Sequence, residues 1–173
     1  MRVGARDVAV LDGGMAAWTR AGFALDVGAA QREPTRVDAT VDAAQIVYTD
    51  ALAVALKDPR TLLVDARAAP RYRGENETID KAAGHIPGAV NRPFADNLDA
   101  SGRFKPAAQL RAEFASLLGS HRPADTIHSC GSGVTACHNL LAMEQAGLTG
   151  SRIYAPSWSG WISDPFRPVA TNS

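Results

Sequence analysis

Cysteine is scarce in this 173-residue chain, which has two. Two thiols do not make a disulfide framework; they fit a reducing compartment, and so the cytoplasm, where a free thiol can do chemistry. No cluster of further ligands accompanies them, so neither a metal site nor a cofactor is expected. Charge of one sign is not in excess either. Eighteen basic residues balance 18 acidic ones, which speaks against nucleic acid or an anionic membrane as partner. No apolar run approaches the roughly 18 residues of a membrane span, and the opening MRVGARDVAV lacks the apolar core of a signal peptide. The chain reads as a soluble globular protein, long enough for one domain with a proper core and short for two.

Short apolar runs alternate with helical patterns, the mark of an α/β fold with a central parallel sheet flanked by helices. Strands are predicted at Val8–Leu11, Leu62–Asp65, Ala89–Asn91, Thr126–Ser129 and Arg152–Tyr154. The clearest helix starts near Pro106, carries Leu110, Phe114, Leu117 and Leu118 on one face, and ends at Gly119. Others are predicted from Val134 to Ala146 and from Thr49 to Lys57. The stretch from Asp26 to Asp38 has little periodicity and reads as a linker. One internal echo stands out: VLDGGMAAW (Val10–Trp18) and IYAPSWSGW (Ile153–Trp161) each read as a short strand, a turn of small residues and an amphipathic turn closing on Trp. The second copy ends a domain. If the first does too, residues 1–25 are the tail of an N-terminal domain, 26–37 a linker, and 38–173 a complete second domain.

The chemistry concentrates at HSCGSGVTACHNLL, residues 128–141. Cys130 follows a predicted parallel strand and precedes a predicted helix, the edge at which open α/β sheets place ligands. The first-turn N–H groups favour an anion there, and Gly131 and Gly133 let the backbone curl so that its amides converge. Ser132 and Thr135 add hydroxyl donors, and Val134 completes the loop. An anionic sulfur can therefore be held with no charged side chain nearby, and the thiolate is the reactive form of cysteine. Cys137, seven residues on, reads as core packing inside the helix.

The ordered motifs DARAAPRYRG, GHIPGAVNRPF, GRFKP, CGSGVTACH and SWSGW resemble the C-terminal catalytic domain of two-domain rhodanese-type sulfurtransferases. The resemblance covers Asp38 to the C-terminus, and Val8–Leu25 resembles the end of the inactive N-terminal rhodanese domain. Within the family, a Cys-Gly-Ser-Gly-Val-Thr loop looks like the 3-mercaptopyruvate enzymes, whereas thiosulfate-preferring members tend to carry basic residues after the cysteine. The resemblance implies a rhodanese-like fold and transfer of a sulfane sulfur through a persulfide of Cys130, from a small-molecule donor to a thiol acceptor, small or thioredoxin-like, or to cyanide. Arg71 matches the family's substrate-binding arginine, and Arg67 could also face the cleft; Arg73 reads equally well as part of a solvated loop. Asp65 is expected to brace the loop or pair with an arginine, and His85 to be a structural turn residue. His128 reads as a satisfied strand histidine, with a Cys130–His128 pair as the alternative. Trp158 and Trp161 are expected in core and rim. Two departures are visible. ENETIDKAAGH lacks the further arginine that animal members carry, and Pro156 and Gly160 stand where many members have Gly and Glu.

Two other functions compete. A cysteine phosphatase loop needs an arginine six positions after the cysteine to clamp phosphate, and that position is Ala136. A non-catalytic sulfur carrier or protein-binding module is opposed by the intact thiol and arginine set.

Overall fold

The computed structural model describes residues 8–28, 33–34, 36, 42–75 and 77–171. Five short strands build one parallel sheet: β1 (Ile46–Val47), β2 (Leu62–Asp65), β3 (Val90–Asn91), β4 (Thr126–Ser129) and β5 (Arg152–Tyr154). Their order is β1-β5-β4-β2-β3, which puts β4 in the middle. The helices are α1 (Gly14–Arg20), α2 (Thr49–Ala55), α3 (Ala69–Tyr72), α4 (Ala107–Leu118), α5 (Ala136–Gln145) and α6 (Ser157–Trp161). Both β2 and β4 are buried along their whole length, as strands covered on both faces must be.

Alternation along the strands feeds two cores. Leu63, Ile127 and Tyr154 face one side, with Leu52 of α2 and Trp158 and Trp161 of α6. Leu62 and Val64 face the other, against Leu110 and Phe114 of α4 and Met143 of α5. On α4 the stripe Leu110, Phe114, Leu118 is buried, Leu117 packs at its margin, and Gly119 ends the helix at φ +55°. This is the helix expected from Pro106. Trp158 and Trp161 are both core residues, 1% and 4% exposed.

Some expectations shift. The helix expected from Val134 starts at Ala136, because Gly133 adopts a left-handed conformation and Val134 and Thr135 close a tighter turn through Cys137 N–H to Val134 O (3.2 Å) and His138 N–H to Thr135 O (3.1 Å). The helix expected over Thr49–Lys57 ends at Ala55. Val8–Leu11 is not a strand: neither sheet edge pairs with it, and Val8 and Val10 are 72% and 65% exposed. The echo survives only as a turn and a helix, with Trp18 packing on Phe23 (ring centroids 4.6 Å apart). This segment meets the sheet domain through Phe104 N–H to Asp12 Oδ1 (2.9 Å) and Arg20 Nη2 to Ser101 O (3.3 Å). Much of the expected linker falls outside the described residues. β1 and α3 are too short to leave a periodic signature, and α3 hides inside the DARAAPRYRG motif.

Candidate active site

Register brings the site together. Asp65 ends β2 opposite Ser129, which ends β4, so Ala66 and Cys130 emerge side by side at one edge of the sheet and Arg67 follows into the same cavity. Cys130 is 2% exposed and packs on Ala66 and Ala136, with Phe94 at the margin. It lines a cavity of about 350 Å3 together with Arg67, Arg71, Ser132, Val134 and Thr135. One loop amide reaches the sulfur: Gly133 N–H donates to Cys130 Sγ at 3.1 Å. Gly133 sits at φ +87°, and a Cβ there would lie 2.5 Å from Ala155 O. Gly131 is not in the left-handed region, and a Cβ on it would meet only Arg71 Nη1, at 3.9 Å. The glycine requirement of the curl therefore rests on Gly133. The hydroxyls of Ser132 and Thr135 line the cavity without bonding Sγ.

Helix α6 clamps the loop from below. Trp158 N–H donates to Cys130 O (3.0 Å) and Ser159 N–H to Gly131 O (2.9 Å), so the first N–H groups of this short helix find their acceptors in the loop. Ser157 Oγ accepts from Cys130 N–H (3.1 Å), donates to Tyr154 O (3.0 Å) and lies 4.0 Å from Cys130 Sγ. Ser157 is the one non-glycine residue with positive φ (+51°) among the described residues, a conformation held by those bonds. Neither Ser157 nor Ser159 was singled out from the sequence, although SWSGW carries the signal of two small polar residues flanking a core Trp. The paired departure at Pro156 and Gly160 has a steric reason: a Cβ on residue 160 would fall 2.2 Å from Pro156 Cβ, so proline at one position demands glycine at the other.

The arginines are heavily engaged. Arg67 is 3% exposed; its Nε and Nη2 fork onto Asp65 (2.7–3.1 Å), Nη2 also donates to Gly84 O (2.7 Å), and the guanidinium stacks over Trp158 at 4.8 Å. Its Nη1 makes no hydrogen bond and sits 3.8 Å from Glu77 Oε2. Asp65 thus braces an arginine, as expected. Arg71 donates from Nε and Nη2 to the Glu77 carboxylate (both 3.1 Å) and from Nη2 to Asp80 Oδ2 (2.8 Å). Burial alone would raise the Glu77 pKa, but the Arg71 guanidinium and the N–H groups of Ile79 and Asp80 hold it below the ordinary carboxylate value. Arg73 pairs with Glu75 at the surface, outside the cavity. Glu77 and Asp80 were not anticipated, because a polar loop gives no hint of where its carboxylates point.

Three further residues complete the neighbourhood. Cys137 is exposed rather than part of the core: α5 turns Ala136, Asn139, Leu140 and Met143 inward. The Cys137 thiol donates to Gly133 O (3.5 Å), and desolvation pushes its pKa up. His128 is fully buried with both ring nitrogens unbonded, so it is neither the satisfied strand histidine expected nor a partner of Cys130. His85 is structural, its Nδ1 2.7 Å from Tyr72 O and its ring stacked on Tyr72.

A cysteine at the carboxyl edge of a central parallel strand, under a loop whose amide points at its sulfur, puts a thiol on the wall of a cavity beside a guanidinium. The rhodanese-like domain family matches residues 49–164, and the chain belongs to that family. It is 49% identical over 170 residues to the probable 3-mercaptopyruvate sulfurtransferase of Pseudomonas aeruginosa, covering 98% of this chain and 60% of that protein. The 3-mercaptopyruvate sulfurtransferase of Homo sapiens is 38% identical over 157 residues, 89% of this chain and 52% of that one. The thiosulfate sulfurtransferase of Bos taurus is 35% identical over 163 residues, 92% and 54%. The chain therefore spans between 52% and 60% of the length of these relatives. Wild-type EanB shares the fold, with a TM-score of 0.82 at 22% identity over 99% of this chain and 42% of that one. No described helix is long and apolar enough to cross a membrane.

Proposed function

We propose that the chain is a sulfurtransferase that moves a sulfane sulfur from 3-mercaptopyruvate, or from thiosulfate, through a persulfide on Cys130. The observation that carries this reading is Cys130 Sγ on a cavity wall with Gly133 N–H 3.1 Å away and a guanidinium across the cavity. The names of the similar proteins support it. The Cys130 thiolate attacks the sulfur of 3-mercaptopyruvate; the S–S bond forms as the C–S bond breaks. The departing carbon keeps the electron pair as the enolate of pyruvate and is then protonated. With thiosulfate the same attack releases sulfite. An acceptor thiolate, small or thioredoxin-like, or cyanide then takes the outer sulfur and restores the Cys130 thiolate. Gly133 N–H stabilises the sulfur anion at both ends of the cycle, and Arg71, with Arg67 behind it, holds the donor's carboxylate.

The uncharged loop favours 3-mercaptopyruvate over thiosulfate, a dianion to which it offers only dipoles. The same reading makes residues 1–25 the tail of an N-terminal rhodanese-like domain, 26–37 a linker and 38–173 the catalytic domain, working in the cytoplasm. A thiol and a guanidinium sharing one cavity disfavour a non-catalytic role. The test is mass spectrometry after incubation with donor. Cys130, not Cys137, should gain one sulfur that dithiothreitol removes, and 3-mercaptopyruvate should load it with the higher specificity constant. Sulfur on Cys137, or none on either, would refute the reading.

A further inference from the structure

We propose that Asp80 sets how tightly the donor binds: it occupies the guanidinium of Arg71 as an internal stand-in for the donor's carboxylate, and a carboxylate donor binds by evicting it. The inference rests on the carboxylate-binding role of Arg71 in the function proposed above.

A guanidinium offers two forks to a carboxylate. In Arg71 the fork of Nε and Nη2 is filled by Glu77, with both bonds at 3.1 Å. Glu77 is anchored, its side chain 4% exposed and Oε1 accepting from Ile79 and Asp80 N–H. That leaves the fork of Nη1 and Nη2, and Nη1 is the end that reaches over the loop at Gly131. The Nη2 half of this fork is taken by Asp80 Oδ2 at 2.8 Å. A donor carboxylate can make two bonds to Arg71 only where Asp80 now makes one.

Asp80 is built to leave. Its other oxygen accepts from Ser159 Oγ (2.9 Å), and that hydroxyl has a second acceptor ready in Gly131 O, also at 2.9 Å. Eviction therefore leaves no orphaned donor. Asp80 also lines the adjoining cavity of about 630 Å3, whose walls carry Lys81 and Arg167. The displaced carboxylate has room and cations on that side. Charge adds to the competition: Arg67 and Arg71 face the three carboxylates of Asp65, Glu77 and Asp80, a net charge of minus one at the wall where an anion must dock.

The experiment measures how well pyruvate, a carboxylate that donates no sulfur, protects Cys130 from iodoacetamide. Asp80→Asn should bind pyruvate roughly five- to twenty-fold tighter than the unmodified protein, and Asp80→Glu no tighter. The KM for 3-mercaptopyruvate should fall in parallel in Asp80→Asn. Ser159→Ala, which cuts the tether without touching Arg71, is the second variant should Asp80→Asn fold poorly, and should tighten pyruvate binding two- to three-fold, by roughly the worth of a weak hydrogen bond. Loss of a merely structural contact would weaken binding rather than strengthen it. Unchanged or weaker pyruvate protection in these variants overturns the proposal. Because the assay needs no turnover, tighter binding without sulfur uptake would refute the transfer reaction and uphold Asp80, while turnover with unchanged binding would do the reverse.

Discussion

Gly133→Ala tests the centre of the site with a single methyl group. An alanine at φ +87° costs about 1–2 kcal/mol before any contact is considered. The added Cβ would then fall 2.5 Å from Ala155 O. Ala155 cannot step aside cheaply, because its N–H donates to Val47 O (3.2 Å) and ties it to the sheet. The loop must move instead. The Gly133 N–H then leaves Cys130 Sγ, where it now sits at 3.1 Å, and the bond from the Cys137 thiol to Gly133 O goes with it. Loss of a hydrogen bond to an anionic sulfur is worth about 1.5–3 kcal/mol, or roughly a ten- to 150-fold slower reaction. The assay is single-turnover formation of the Cys130 persulfide from 3-mercaptopyruvate, followed by mass, alongside a thermal melt. Gly131→Ala is the matched control, since its new Cβ meets only Arg71 Nη1 at an ordinary 3.9 Å; it should stay within a few-fold of the unmodified protein. A Gly133→Ala protein that loads sulfur within threefold of normal would refute the reasoning, as would Gly131→Ala proving the worse of the two.

Arg71→Ala should raise the KM for 3-mercaptopyruvate roughly ten- to hundred-fold and also lower the melting temperature, because it strands Glu77, whose side chain is 4% exposed. Arg73→Ala, which breaks only a surface pair with Glu75, should do neither; the reverse pattern in steady-state kinetics would redraw the carboxylate site. Burial lowers the pKa of His128 to about 3, so the unfolded chain takes up a proton that the folded one refuses, and stability should be full above about pH 6.5 and fall by about 1.4 kcal/mol per pH unit as pH drops towards 3. His128→Leu should remove that slope from denaturant titrations, and a slope unchanged by the substitution would show that other groups set it.

The parts of the molecule that were legible in the sequence are those whose signal is local. Leu62–Asp65 and Thr126–Ser129 are runs buried on both faces, and they appear as strands with the expected bounds. Cys130 could be placed because a strand, a glycine loop and a helix follow one another within a dozen residues. What stayed hidden depends on partners far away in the chain. Asp80 meets Ser159 across 79 residues, and Ser157 reaches Cys130 across 27; no periodicity within ENETID or SWSGW announces either. Helical spacing correctly put Cys137 on α5 but could not say which face the core would take. His128 looked like a residue that must find a partner, yet the centre of the sheet gives it none, and burial alone keeps it neutral.

The absence of charged side chains in the loop now has a structural counterpart. Charge at the site is held one layer out, where two guanidiniums and three carboxylates largely satisfy one another. The sulfur itself meets a dipole, Gly133 N–H at 3.1 Å, while the Ser157 hydroxyl, 4.0 Å away, gives its proton to Tyr154 O. A fixed counter-ion beside Cys130 would favour the thiolate and then resist each step in which the sulfur loses charge. In the proposed sulfur transfer, a dipole fixed by backbone geometry would serve thiolate and persulfide alike, with no ion pair to break and little reorganisation between them. The conformational demand of that arrangement falls on backbone rather than on charge: glycine meets it freely at Gly133 with φ +87°, and the cost falls on Ser157 with φ +51°. Both are tied by hydrogen bonds to Cys130, so the one strained residue, Ser157, sits where it fixes the Cys130 backbone.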